Sequence, residues 1–374
     1  MPGIEETDAR IEFERENRSP TDLEFEPITS EDEDYESAPS DYEINTYPAD
    51  FTLEVLHRKW KEEEILIPDF QRRFVWKQTQ ASKLVESFLV GLPVPAVFLY
   101  KERKSQKSFV IDGQQRLKSI FFFFEGYFGL EERGTRRVFT LTGLSPDSKF
   151  ANRRFEDFQE EDKRRLRDSV LRAFVVQQLD PQDDTSMYHI FERLNTGGTL
   201  LTNQEIRNCV FHGRFIEFLD ELNKDPSWQS ILGKSKPDTH RKDIELIVRF
   251  FAMRNIDAYK KPMKDFLSGF MKKNRDASKE TLAESREIFT RTCDGVVASL
   301  GEKPFHIRAG LNAAVFDSVM TAFSKHLEEI PGDIKGRYDR LTKSAEFGKH
   351  TRNWTTDEET VRTRFRLAET ELFD

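Results

Sequence analysis

Phe109-Val110-Ile111-Asp112-Gly113-Gln114-Gln115-Arg116 is the stretch on which the fold turns. An apolar, β-forming run stops at Asp-Gly, a turn dipeptide. Gln, Gln and Arg follow, then a mostly apolar run from Leu117 to Phe124 that predicts a buried helix. A strand, a tight turn and a helix start therefore meet here. Helix N-termini expose backbone N–H groups and favour anions. Gly113 lets backbone approach a ligand closely, and Arg116 adds a planar donor fork suited to phosphate or carboxylate. A solvated corner would also be polar, but four polar residues crowded between two strongly apolar runs favour a site.

Upstream, Ile65-Leu66-Ile67 reads as a short strand ended by Pro68. Asp69-Phe70-Gln71-Arg72-Arg73-Phe74-Val75-Trp76 then again puts Gln and Arg after a strand end. Thr52 is placed to cap a short helix with Leu53, Leu56 and Trp60 on one face. Thr79 to Val90 predicts a helix with Leu84, Val85, Phe88 and Leu89 inward, stopped by Gly91 and Pro93. Pro95 to Tyr100 and Ser108 to Ile111 are strands around a charged turn, and the β–α–β–β–α order gives a small α/β unit. Downstream, residues 131–150 suggest a hairpin ending in Val138-Phe139-Thr140-Leu141. Asp157-Phe158-Gln159-Glu160 resembles a capping box opening a basic helix, Lys163 to Arg172. Its Lys and Arg residues are suited to a phosphate backbone. Interleaved Glu160, Glu161, Asp162 and Asp168 favour a solvated face instead. Ala173 to Gln177 is a further strand.

Thr185 to Asn195 places Met187, Ile190, Phe191 and Leu194 on one helix face. The helix ends in Asn195-Thr196-Gly197-Gly198, and Thr202-Asn203-Gln204-Glu205 is a capping box for the next one. Two readings stand side by side. One is a helix–loop–helix turn. The other is a second polar rim, with Glu192, Arg193, Asn195 and Thr196 facing Glu205, Arg207 and Asn208. From about residue 214 the pattern is helical, through Phe215, Phe218, Leu219 and Leu222, then Ile244, Ile247, Val248 and Phe251. It continues over 262–272, 278–300 and 309–329. Thr356-Asp357-Glu358-Glu359 predicts the cap of a final helix with Val361, Phe365, Ala368 and Leu372 inward.

The chain has 374 residues and a net charge of −9, but the charge is unevenly placed. Residues 1–45 hold 16 acids and 3 Arg, whereas the rest holds 51 acids and 55 bases. The expectation is an acidic disordered tail over 1–45 and a mildly basic folded body. Cys209 and Cys293 sit in apolar helical patterns and are expected in the core. No apolar run reaches membrane-spanning length and the N-terminus does not read as a signal peptide, so the expectation is a cytoplasmic protein. No P-loop, His-cluster zinc motif or G-x-S-x-G elbow occurs. Pro237-Asp238 with Glu245 hints at a restriction-type nuclease, but Ile247 stands where that chemistry wants Lys.

Three ordered blocks carry a family resemblance: Ile67-Pro68-Asp69-Phe70-Gln71-Arg72 with Trp76; Ile111-Asp112-Gly113-Gln114-Gln115-Arg116-Leu117; and Phe191-Glu192-Arg193-Leu194-Asn195-Thr196-Gly197-Gly198 with Leu201 and Glu205. Together they resemble the N-terminal domain family of GmrSD-type restriction endonucleases, with Arg241 to Phe250 similar to the family's following helix. The likeness covers roughly residues 50–255. It implies an α+β chain: a small ParB/sulfiredoxin-like α/β domain over 46–180, then a mostly α-helical domain over 181–374. It further implies nucleoside triphosphate binding and hydrolysis within bacterial anti-phage systems that sense modified DNA. On that basis Asp112, Gln115 and Arg116 are the catalytic candidates. Gln71, Arg72, Gly113, Gln114, Arg193, Asn195 and Thr196 are the nucleotide-binding ones. Mg²⁺ is the implied cofactor, held by Asp112, with Glu192 or Glu205 as the alternative ligand. Many members carry a C-terminal His-Asn-His nuclease; here His306, His326 and His350 form no such motif. DNA and a separate nuclease subunit are therefore the implied partners. A non-enzymatic DNA-binding or regulatory module and a DNA-nicking nuclease are the alternatives.

Overall fold

The computed structural model describes residues 23–26, 43–67, 74–103, 105–132, 135–180, 186, 190, 202–211, 213–238, 240–308, 310–352 and 355–374. Residues 41–201 form one compact unit, and residues 1–40 with 202–374 form another. The fold is α+β, with the strands in the N-terminal half and helices thereafter.

The first unit is built on a five-stranded mixed sheet. Its strands are β1 (Glu43–Thr52), β2 (Ile65–Leu66), β3 (Val97–Lys101), β4 (Ser108–Asp112) and β7 (Val170–Asp180), in the order β1-β7-β3-β4-β2. β1 runs antiparallel to β7, β3 is parallel to β7 and antiparallel to β4, and β2 is parallel to β4. Helices α1 (Leu53–Lys61), α2 (Gln78–Val90), α3 (Gln114–Glu125) and α4 (Glu160–Asp168) pack on it. Leu56, Leu84, Val85, Leu89, Val110, Leu117, Ile120, Leu166 and Leu171 share its core. Phe121, Phe122, Phe123, Phe139, Phe150 and Phe158 complete that core, so much of the Phe-rich composition is used here. Thr52 caps α1 by accepting from Val55 N–H, and Gly91 ends α2 at φ +81°, both as expected. A two-stranded ribbon, β5 (Tyr127–Glu132) with β6 (Thr135–Val138), precedes Phe139 and Leu141, which drop into the core.

Three expectations are corrected. Strand β1 is new to the sequence reading: residues 43–45, assigned there to the disordered tail, open it, and Pro48 lies within it. Pro is tolerated because β1 is an edge strand paired only with β7. The basic helix stops at Asp168, not Arg172, because β-branched Val170 starts β7. Arg172 instead forms a bidentate pair with Asp50 across β1 and β7. Asp157 closes a 3₁₀ turn on Arg154, so α4 begins at Glu160 behind Gln159 with no side-chain cap. Lys163 pairs with Glu160 and Lys149 with Asp162, which agrees with a solvated face.

The second unit holds α5 (Asn203–Val210), α6 (Arg214–Leu222), α7 (Pro226–Leu232), α8 (Lys242–Met253), α9 (Met263–Asn274), α10 (Lys279–Leu300), α11 (Ala313–Lys325), α12 (Ile334–Lys343), α13 (Ala345–His350) and α14 (Glu358–Phe373). Its core is aromatic: Trp228 packs on Phe289 and Phe316, and Phe250 on Phe251 and Phe289. Cys293 is buried there, and burial pushes its thiol pKa well up, in keeping with a core role. Across α8, α11 and α14, Asp317 accepts two hydrogen bonds from Arg249 and one from Arg364. The final helix starts one residue later than expected, with Asp357 at the N-cap position and no side-chain cap bond, and the Tyr259 hydroxyl donates to the Thr356 carbonyl beside it. The foreseen apolar face of α14 is buried.

The tail expectation is also corrected at Leu23–Glu26, which lie against this helical unit: Leu23 and Glu26 are buried and Phe25 bridges Leu311. Among the described residues no helix is long and apolar enough to cross a membrane.

Candidate functional site

The sheet's topology gathers the polar loops. β2 and β4 are neighbouring parallel strands, with Leu66 paired to Phe109, so both end at the same sheet edge. β3 starts there too, since Phe98 pairs with Asp112, and so does β7, since Val170 pairs with Thr52 at the end of β1. The Asp-Gly turn after β4 and Ile67 after β2 therefore leave the sheet side by side. Val75 and Trp76, at the far end of the first block, meet the second block through Gln115.

Gly113 sits at φ +97° and precedes α3, and no side chain caps that helix. A Cβ at Gly113 would fall 2.3 Å from Val97 Cγ1, so this position excludes any larger residue. Asp112 and Arg116 stand one helical turn apart, and the Arg116 NH2 group donates to Asp112 Oδ2 at 2.6 Å. Arg116 NH1 donates to the Pro95 carbonyl at 3.2 Å. The Arg116 side chain is only 14% exposed and that of Asp112 is 53% exposed, so a solvent-facing carboxylate holds a recessed guanidinium in place. Gln115 works on the neighbouring loop. Its Oε1 accepts from the N–H groups of Val75 and Trp76, at 3.1 and 3.3 Å. With Phe74 packed edge-on against Phe122 and Phe128, this ties the far end of the first block to α3.

Gln71, Arg72, Glu192, Arg193, Asn195 and Thr196 lie outside the described residues. Ile67 and Phe74–Trp76 flank the first two and belong to the same corner. The second polar rim is answered in part: Glu205, Arg207 and Asn208 are buried. Glu205 completes the capping box, its Oε2 accepting from Thr202 N–H at 2.6 Å, and its Oε1 lies 3.7 Å from His240 Nδ1. Arg207 donates to Gln204 and Ser268 and lies 3.5 Å from Glu245. These residues brace α5 within the helical unit. Among the described residues no three His, Cys, Asp or Glu side chains gather as a metal site.

Two further features of this unit have no counterpart in the sequence reading. A groove of about 440 Å³ at the same sheet edge is lined by Phe88, Leu92, Pro93, Val94, Val170 and the Asp50–Arg172 pair. Its wall is the loop whose Pro95 carbonyl holds Arg116. At the other end of α3, His57 Nε2 lies 2.8 Å from Glu125, which also takes Lys61. Burial against Trp60, Phe121 and Phe124 lowers the His57 pKa, and the Glu125 contact only partly opposes this. His57 is legible as a lone His on a mixed helix, but its partner 68 residues away is not.

An Asp-Gly turn between a β-strand and a helix with no side-chain cap, beside the end of the adjacent parallel strand, defines a non-P-loop α/β domain. Residues 53–212 match the GmrSD restriction endonuclease N-terminal domain family. No curated protein matches the chain.

Proposed function

We propose that the protein is a nucleotide-binding component of a restriction-type anti-phage system, and that the Asp112–Arg116 corner takes the phosphates of a nucleoside triphosphate. The observation that carries this reading is the seating of Arg116. Its guanidinium is fixed by Asp112 and the Pro95 carbonyl beside a helix start that no side chain caps. A guanidinium has five N–H donors, and these two partners leave others for phosphate oxygens. The dipole at the start of α3 adds to the attraction for an anion. Phosphoryl transfer asks a protein for positioning and charge neutralisation more than for a nucleophile. The match to a restriction endonuclease N-terminal domain supports the setting.

Mg²⁺ fits as the companion of the triphosphate rather than as a resident of a protein cage. Mg²⁺ in such sites is held by one or two carboxylates together with substrate phosphates, and half-exposed Asp112 is a carboxylate at this corner. When bound, the ion neutralises charge on the transferred phosphoryl group. Gln115 shapes the corner by clamping residues 75–76, and its amide N–H₂ remains available to donate. Gln71, Arg72, Gln114, Arg193, Asn195 and Thr196 complete the proposed nucleotide shell.

DNA cleavage is assigned to a separate nuclease. His306 is half-buried beside the Leu311 bridge, and His326 stacks on Phe373 at 4.5 Å between ring centroids. Both serve packing. The test is binding and turnover of nucleoside triphosphates with Mg²⁺ by the wild type and Arg116→Ala. Saturable binding that drops about 10–100-fold in the variant is expected, the scale of a lost charge-assisted hydrogen bond. No binding by the wild type, or an unaffected variant, overturns the reading. Phosphate release distinguishes hydrolysis from a switch, and plasmid nicking by the pure protein that survives Asp112→Ala would return the nuclease to this chain.

A further inference from the structure

We propose that the helical unit carries a docking groove for an extended acidic peptide, and that Leu23-Glu24-Phe25-Glu26 of the chain's own tail fills it as a releasable plug. The contact is a strand addition. Leu311 N–H donates to the Glu24 carbonyl at 2.7 Å, and Glu26 N–H donates to the Leu311 carbonyl at 3.1 Å, in parallel register. Main-chain bonds of this kind give affinity while alternate side chains give specificity.

Leu23, Phe25 and Glu26 each find a distinct reception. Leu23 is 2% exposed, and its N–H donates to Asp238 Oδ2 at 2.5 Å. The Phe25 ring lies beneath Lys242 Nζ at 5.5 Å. Glu26 is buried, and its Oε2 accepts from Asn312 Nδ2 at 2.9 Å. Gly310 opens the floor: a Cβ there would fall 2.4 Å from the Glu24 carbonyl oxygen. A buried hydrophobic residue at position 23, an aromatic at 25 and a carboxylate at 26 make the pattern the groove reads.

The receiving residues are held by the helical unit itself. Asp238 Oδ1 accepts from the N–H groups of His240 and Lys242. Asn312 caps α11 through Val315 N–H and donates to the Thr351 carbonyl. Leu311 also bridges His306. The groove is thus organised by contacts that do not involve the tail. The tail's hold is incomplete: Glu26 Oε1 and, close by, His306 Nδ1 are buried without hydrogen-bond partners. Unsatisfied buried groups weaken a contact and place this segment among those that open locally.

The experiment uses the full chain. Amide hydrogen exchange at Glu26 and Leu311 is expected to be at least about 100-fold faster than in α11, reporting local release. Leu23→Asp is expected to free the segment. A fluorescent peptide spanning residues 19–29 then binds this variant saturably, at least about tenfold more tightly than it binds the wild type, whose groove is filled. Adding Gly310→Val abolishes that binding. Exchange at Glu26 and Leu311 as slow as in α11 overturns the proposal. So does failure of the peptide to bind a Leu23→Asp protein that retains the wild-type circular dichroism and melting temperature.

Discussion

At the scale of single residues, Gly113 and Arg116 have separate roles that mutation can distinguish. Gly113→Ala forces a Cβ into Val97 at a left-handed φ. Overpacking and left-handed strain together cost about 2–4 kcal/mol. The expected result is a lower melting temperature for the α/β unit, measured by thermal denaturation. Arg116→Ala should instead weaken phosphate binding about 10–100-fold with a small effect on folding, because its side chain makes two hydrogen bonds, to a half-exposed carboxylate and a loop carbonyl. The Asp112-Gly113 turn is legible because a β-run, a turn dipeptide and an apolar helix are all local signals. That Gln115 clamps Val75 and Trp76 is not, because the partners are 40 and 39 residues away. The same distance effect hides the partner of His57. Burial lowers the pKa of His57 and of His306 from the ordinary value of 6.5. The unfolded chain then binds more protons than the folded one in the window below 6.5, so these groups' stability contribution is complete above 6.5. It is lost as pH falls through the folded-state values. Urea unfolding from pH 8 to pH 5 is expected to show this loss, and His57→Phe to reduce it, with the ring's packing against Trp60 and Phe121 preserved.

At the scale of elements, local rules work where an element is amphipathic and capped. The Thr202–Glu205 box opens α5 with both reciprocal bonds in place, and the predicted faces of α6, α8 and α14 are buried. They fail where tertiary pairing overrides local preference. β1 holds Pro48 and alternates weakly, yet ten residues pair with β7 because the edge leaves the Pro nitrogen without a ladder duty. Arg172 reads as helix because its neighbours are basic, whereas its role is to pair with Asp50 on the adjacent strand. Buried charge is the other non-local feature. Arg249, Asp317 and Arg364 come from three helices, and burial lowers Arg364 to about 10 against the pull of Asp317. Removing the shared carboxylate leaves two guanidinium groups in the core. Asp317→Ala is therefore expected to destabilise the helical unit by about 3–5 kcal/mol, read by chemical denaturation with tryptophan fluorescence.

At the scale of the whole molecule, the two units own separate cores. Among the described residues, the buried apolar cluster of the α/β unit runs from Leu53 to Val175, with Tyr47, Ala49 and Phe51 packed against it, and the aromatic cluster around Trp228 and Phe289 belongs to the helical unit. Ligand linkage turns this into a test that joins fold to function. A nucleotide bound at the Asp112–Arg116 corner stabilises the state that binds it by RT ln(1 + [L]/Kd), about 2.7 kcal/mol at a hundredfold excess over Kd. For a unit of this size that corresponds to a rise of roughly 5–11 °C. In calorimetry of Asp317→Ala, the weakened helical transition should separate from the α/β transition. Nucleotide with Mg²⁺ should then raise the α/β transition and leave the helical one in place. Arg116→Ala in the same background should cut the rise to about half or less. A nucleotide that moved only the helical transition would place its binding site in the other unit, where Glu205, Arg207 and Asn208 already have structural work.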